Sequence, residues 1–179
     1  MQKRIGVLLI VLFLSGCVSK LKTIKNDKDV HLEQGQGYLL MAINTNVSLT
    51  KLYVSGTQRF TLSKEDLKRG TNYILVNLPA GEYEFNKAHF YNYYFSISDS
   101  DHDWQFKIKP NIISYIGDLN IETEWWGRRS YMELVNNSSI ALEFLETKFP
   151  NILKSRQVEY QGPGNDDFFQ VVAQSGESK

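Results

Sequence analysis

Cysteine is nearly missing from this chain: Cys17 is the one example in 179 residues. A lone thiol excludes an intrachain disulfide and a cysteine-based metal site, so the fold must rest on packing alone. Four prolines and 12 glycines exclude the compositions of collagen-like or proline-rich disordered chains. Neither sign of charge dominates, with 20 basic and 20 acidic side chains, so the electrostatic footprint of a nucleic-acid-binding protein is absent. The histidines, His31, His89 and His102, lie far apart and show no spacing suited to a metal. No G-x-S-x-G elbow, phosphate-binding loop or H-E-x-x-H motif occurs, and the expectation is a protein that is not an enzyme. Long hydrophobic runs are missing too, except for Ile5 to Leu14, which is too short to span a bilayer.

That one run carries the clearest message in the chain. Lys3 and Arg4 form a basic region before it, and the small residues Ser15-Gly16 follow it, the arrangement of a signal peptide and its cleavage site. Leu14-Ser15-Gly16-Cys17 resembles the lipobox of bacterial lipoproteins. The resemblance implies cleavage after residue 16, a thioether-linked diacylglycerol on Cys17 and an acylated amine, with palmitate-type chains as the anchor. Each buried methylene contributes about 0.8 kcal/mol, and two or more chains anchor stably. In the resembling lipoproteins an aspartate after the cysteine retains the protein at the inner membrane. Val18 stands there, so the expected address is the outer membrane, facing the periplasm. The alternative is an ordinary secretory cleavage site beside an incidental Cys17. Loss of residues 1–16 removes Lys3 and Arg4 and leaves 18 basic against 20 acidic side chains.

What is plentiful is aromatic residues: ten Tyr, ten Phe and three Trp. Residues 17–36 read as the lipidated cysteine and a polar tether, with Lys20, Lys22, Asp27 and Asp29 spread along it; the favoured account of its lysines is a solvated linker, not a lipid-headgroup contact. Residues 37–160 read as an antiparallel β-sandwich domain. Strands are expected near Tyr38 to Asn44, Thr50 to Ser55, Gln58 to Leu62, Tyr73 to Leu78, Gly81 to Ile97, Trp104 to Lys109, Ile112 to Glu122 and Ser130 to Val135. Tyr83, Phe85, Tyr91, Tyr93 and Phe95 share one parity, and the charged Lys87 and His89 on that parity predict a bulge near Ala88. Ile113, Tyr115, Leu119 and Ile121 share another face, with Gly117 leaving room for a ring. Ser63 to Arg69 reads as a short helical turn capped by Ser63. One helix is expected at residues 138–148, capped near Asn137 and stopped by Pro150. Residues 161–179 read as a loose tail, in which Phe168, Phe169, Val171 and Val172 could add an edge strand.

Leu78-Pro79-Ala80-Gly81-Glu82-Tyr83 resembles the corner of transthyretin-like and carboxypeptidase-regulatory β-sandwiches. Lys109-Pro110-Asn111 with Tyr115-Ile116-Gly117-Asp118 is similar to uncharacterised proteobacterial lipoproteins carrying such a domain, except that asparagine follows Pro110 where glycine is commoner. The resemblance covers residues 37 to 122 and implies an Ig-like or transthyretin-like sandwich, with one short C-terminal helix expected after it. Its motifs are turn chemistry and specify fold better than function.

Asp99, Asp101 and Asp103 alternate as in a calcium loop, but Trp104 and Pro110 occupy the positions where an EF-hand needs glycine and a bidentate acid. A solvated hairpin tip is the favoured reading over a weak metal site, and no metal is expected. Trp125, Trp126, Arg128 and Arg129 are residue types enriched at interaction hot spots. Two readings stay open for them: one ring completes the core while the arginines stack or pair with Glu122 and Glu124, or the group contacts a partner. Glu82 and Glu84 share a solvent face and read as plain surface before an acid and base pair. The expected function is therefore a non-catalytic accessory or protein-interaction module of the envelope, with the membrane and an envelope protein as partners and no cofactor beyond the lipid. The alternative is a glycan or peptidoglycan-binding module, and an unrecognised hydrolase ranks last.

Overall fold

The computed structural model describes residues 19–29, 31–97, 104–124 and 129–177. In chain order the strands are β1 (Ser19–Lys20), β2 (Gln36–Thr45), β3 (Lys51–Gly56), β4 (Phe60–Ser63), β5 (Gly70–Pro79), β6 (Gly81–Phe90), β7 (Tyr93–Ser96), β8 (Gln105–Ile108), β9 (Ile113–Thr123), β10 (Ser130–Val135) and β11 (Val158–Tyr160). Helices α1 (Ser138–Lys148), α2 (Pro150–Ser155) and α3 (Phe168–Glu177) belong to the last third. One sheet runs β1-β4-β3-β6-β7, with β8 beside the first half of β6. The other runs β10-β9-β2-β5, with β11 beside the start of β9.

The chain is mainly β, but the sheets are mixed and not wholly antiparallel. β2 runs parallel to β9, β9 parallel to β11, and β1 parallel to β4. The reason lies in β2 and β9. β2 carries an unbroken apolar run from Tyr38 to Ile43, β9 alternates apolar with polar residues, and both are buried nearly throughout, as in strands covered on both faces. Leu39, Met41 and Ile43 face the first sheet in one cluster with Leu52, Phe60 and Phe85. Tyr38 and Leu40 face the other way, against Ala141, Leu145, Phe149 and Ile152 of the helical layer.

Gly117 changes which residues of β9 share a face. Its φ is +105°, a conformation that favours glycine, and the register against β2 slips between Leu40 and Ala42. Ile113 and Tyr115 before it face the helices, whereas Leu119 and Ile121 after it face the sheet-to-sheet core. The expected single face is thus split. A Cβ at Gly117 would meet the Val135 carbonyl at 3.0 Å, so the space accommodates a neighbouring strand, not a ring.

Three further expectations change. The long strand from Gly81 to Ile97 folds back at Tyr91-Asn92, so Phe90 pairs with Tyr93; the register slip opposite Tyr53 and Val54 is the bulge that turns Lys87 and His89 outward. Residues 64–66 form a turn, not a helix, in which the Asp66 amide donates to the Ser63 carbonyl. Phe168 to Glu177 is helical, not an edge strand. Its start is fixed by Asp166, which accepts from the Phe168 amide at 2.9 Å, and Phe169 is buried edge-on to Tyr115. Pro150 ends α1 and opens α2, where a missing amide hydrogen costs nothing.

The stretch expected as a polar tether is bonded to the domain along its described residues 19–29. β1 adds to the edge of β4, and the Ile24 amide donates to the Leu75 carbonyl of edge strand β5 at 2.8 Å. Asp27 then accepts from the amides of Asn151 and Ile152 at 2.8 and 3.1 Å. One strap thereby covers an exposed edge of each sheet, where unpaired backbone groups would otherwise invite aggregation.

Candidate functional site

The two sheets share a common pair of ends, and the chemistry differs between them. At one end the β3–β4 and β5–β6 turns meet: the Thr57 amide donates to the Glu82 carbonyl at 3.0 Å. Gly81 there has φ +151°, and a Cβ on it would lie 1.9 Å from the Thr57 hydroxyl. Tyr83 closes the Pro79 corner by donating to the Pro79 carbonyl at 2.8 Å. Burial pushes its phenol up to about 12, which keeps that donor protonated.

The opposite end brings together Thr45-Asn46, Arg69-Gly70, Phe90-Tyr91 and Thr123. Asn46 is held like an added strand residue, its side-chain oxygen accepting from the Thr123 amide at 2.9 Å and its nitrogen donating to the Thr123 carbonyl at 3.0 Å. Two shallow clefts open on either side of this pairing. One, of about 500 Å³, is lined by Asn46, Ser48, Arg69, Phe90, Tyr91 and Thr123, among others. The second, of about 720 Å³, is lined by Asn46, Glu122, Glu124, Arg129, Ser130 and Tyr131, with Thr123 shared.

Tyr91 lines the first cleft and Tyr131 the second, and two further exposed rings, Tyr93 and Tyr94, follow Tyr91 along the β6–β7 hairpin. Tyr91 is 75% exposed, Tyr93 54%, Tyr94 58% and Tyr131 61%. Tyr91 sits at the tip of the β6–β7 hairpin with φ +49°, an uncommon backbone for a bulky residue. Behind it His89 stacks on Tyr94 with centroids 4.1 Å apart. The Lys87 ammonium lies 4.7 Å over the Tyr53 ring and 5.4 Å from the Tyr94 ring. The outer face of the first sheet thus carries an ordered row of rings and one cation, and it ends at the clefts.

Among the sequence-predicted residues, only Arg129 lies within the described part of this surface. It is exposed on the second cleft, and its carbonyl accepts from the Glu124 amide at 3.0 Å. Trp125, Trp126 and Arg128 lie outside the described residues, as do Cys17, Asp99, Asp101, Asp103 and His102. Glu82 is paired with Lys107 at 2.9 Å on the surface. Among the described residues, no group of three His, Cys, Asp or Glu converges, and no helix is long and apolar enough to cross a membrane.

The tyrosines of the hairpin escaped sequence reasoning. The buried parity that includes Tyr91 and Tyr93 holds only through Phe85, before the bulge, and Asn92, a turn former, is the available sign that the strand ends there. A buried polar group was missed as well. Tyr115 donates to Asp118 at 2.8 Å and accepts from the Asn137 amide at 3.1 Å, while the Asn137 side chain donates to Asp118 at 2.9 Å. Burial, aided by the Asp118 charge, pushes the Tyr115 phenol above its ordinary value. With every partner internal, this group positions the start of α1 and is not available to a ligand. Among the described residues, no buried side-chain nitrogen or oxygen lacks a partner. A scan against protein-family models finds none that matches the chain, and a search of curated proteins finds no match either.

Proposed function

We propose that the chain is a lipoprotein of the outer membrane, anchored through acyl chains on Cys17, whose transthyretin-like sandwich serves as a non-catalytic docking module for an envelope protein. The observation that carries this reading is the pair of exposed tyrosines, Tyr91 and Tyr131, lining the two clefts at Asn46 and Thr123. Rings beside arginines supply the rigid, amphipathic contacts that dominate protein interfaces, and Arg69 and Arg129 stand on the two clefts. The closed polar networks elsewhere support the same surface by exclusion, since their donors and acceptors are already occupied. The transthyretin-like assignment is supported by the Tyr83 to Pro79 bond at the expected corner.

The test is photo-crosslinking in living cells from positions 91 and 131 of the full, lipidated protein, repeated with Arg69→Ala and Arg129→Ala. A reproducible protein adduct at both positions that weakens with the arginine substitutions is the expected result. Adducts to cell-wall sugars alone would favour the glycan reading, for which the row of Tyr53, Tyr94 and His89 offers stacking faces. Adducts at neither position would overturn the proposed surface.

A further inference from the structure

We infer that the end of the sandwich bearing the β3–β4 hairpin lies against the bilayer surface, and that the tyrosine-bearing end points away from it. The inference rests on the reading of Cys17 as acylated and adds to it an orientation set by the described strap. Ser19 is fastened to the hairpin three times: its amide and its hydroxyl donate to the Arg59 carbonyl at 3.2 and 3.4 Å, and the Gln58 side chain donates to its hydroxyl at 2.8 Å. The next residues extend the hold, since Lys20 pairs with Thr61 and the Leu21 amide donates to the Thr61 carbonyl.

Only two residue steps separate Cys17 from Ser19, and a fully extended chain covers at most about 7 Å in two steps. A free tether from residue 17 to 36 would instead give a root-mean-square reach of roughly 25 Å. With residues 19–29 bonded along the domain, the acyl chains and the hairpin cannot separate by more than the short reach. The membrane partner is therefore the leaflet that holds the acyl chains. The tip facing it, Gly56 to Arg59, has one charged side chain, the exposed cation Arg59, which suits anionic headgroups.

The same topology sends the clefts outward. β2 begins beside this tip, where the Ala80 amide donates to the Gly35 carbonyl, and runs ten residues to Thr45. At about 3.3 Å per residue that is roughly 30 Å. Asn46, Arg69 and Tyr91 stand at its far end.

The test uses the full chain, matured in bacterial cells, purified and placed in phosphatidylethanolamine/phosphatidylglycerol vesicles containing a nitroxide headgroup lipid. A thiol-reactive fluorophore is attached at Thr57→Cys or at Tyr91→Cys. The expected result is quenching at position 57 several-fold stronger than at position 91, with the contrast lost when ten Gly/Ser residues are inserted between Val18 and Ser19. Equal quenching at the two positions, or a contrast that survives the insertion, would overturn the inference while leaving the anchor reading intact. The intact mass separates the two: a chain without added acyl groups, and without vesicle association, would overturn both.

Discussion

At the end of the sandwich that holds Ser19, backbone and side-chain groups are paired within the chain; at the end that holds Tyr91, rings and arginines stand in solvent. The same contrast runs through the layers. The sheet built on β2 and β9 is covered on both faces, whereas the outer face of the sheet built on β3 and β6 carries Tyr53, Lys87, His89 and Tyr94, with no helix of the described residues packed on it. Aromatic residues therefore do two different jobs. Where the opposing surface is another element of the chain they make core, and where it is water they remain available for contact.

The sharpest way to separate the two jobs is to remove a ring from each. Phe85 is fully buried and packs on Phe106 at 5.0 Å, so Phe85→Ala should lower unfolding free energy by about 3–5 kcal/mol in a urea titration. A loss under about 1 kcal/mol would mean that the sheets do not share the core described.

A smaller effect is expected at the strap. Asp29 accepts from Tyr38 at 2.7 Å, from Ser155 at 3.0 Å and from Arg156 at 2.9 Å. Burial works to raise its pKa, but these hydrogen bonds and the Arg156 charge outweigh it and hold the carboxyl below its usual range. A carboxyl that titrates lower when folded stabilises fully above its unfolded pKa, about 3.9, and that contribution fades as pH falls through the native value. Asp29→Asn should therefore cost about 1–3 kcal/mol near neutral pH, with the difference from wild type shrinking once pH falls below about 4 and on through the lower native pKa. A difference that persists unchanged into acid would show that the charge of Asp29 is not what fastens the strap. The smallest effect belongs to the open end: Tyr91→Ala should leave stability within about 0.5 kcal/mol in the same titration that registers Phe85→Ala.

The parts of this arrangement that could be read from sequence are those governed by neighbours in the chain. Alternation located β6 up to its bulge, and the stop at Pro150 marked the end of α1. Local periodicity is silent on what lies far away in sequence. Asp27 and Asp29 look like solvated tether residues because their partners, Asn151, Ile152, Ser155 and Arg156, lie more than 120 positions on. β2 is apolar on both parities because a second core lies behind it, and in β9 the irregularity at Gly117 reassigns the residues on either side. The exposed tyrosines were hidden for the opposite reason: a tyrosine at period two looks the same whether it ends in core or in water, and the fold-back at Tyr91-Asn92 decides which.

The most direct test of the whole account is one experiment with two crosslinkers in the same lipidated protein in living cells, a photoreactive residue at position 57 or at position 91, with the adducts identified by mass spectrometry. The account predicts phospholipid adducts at 57 and a discrete protein adduct at 91. Protein adducts at 57 with lipid at 91, or the same set of adducts from both positions, would contradict it.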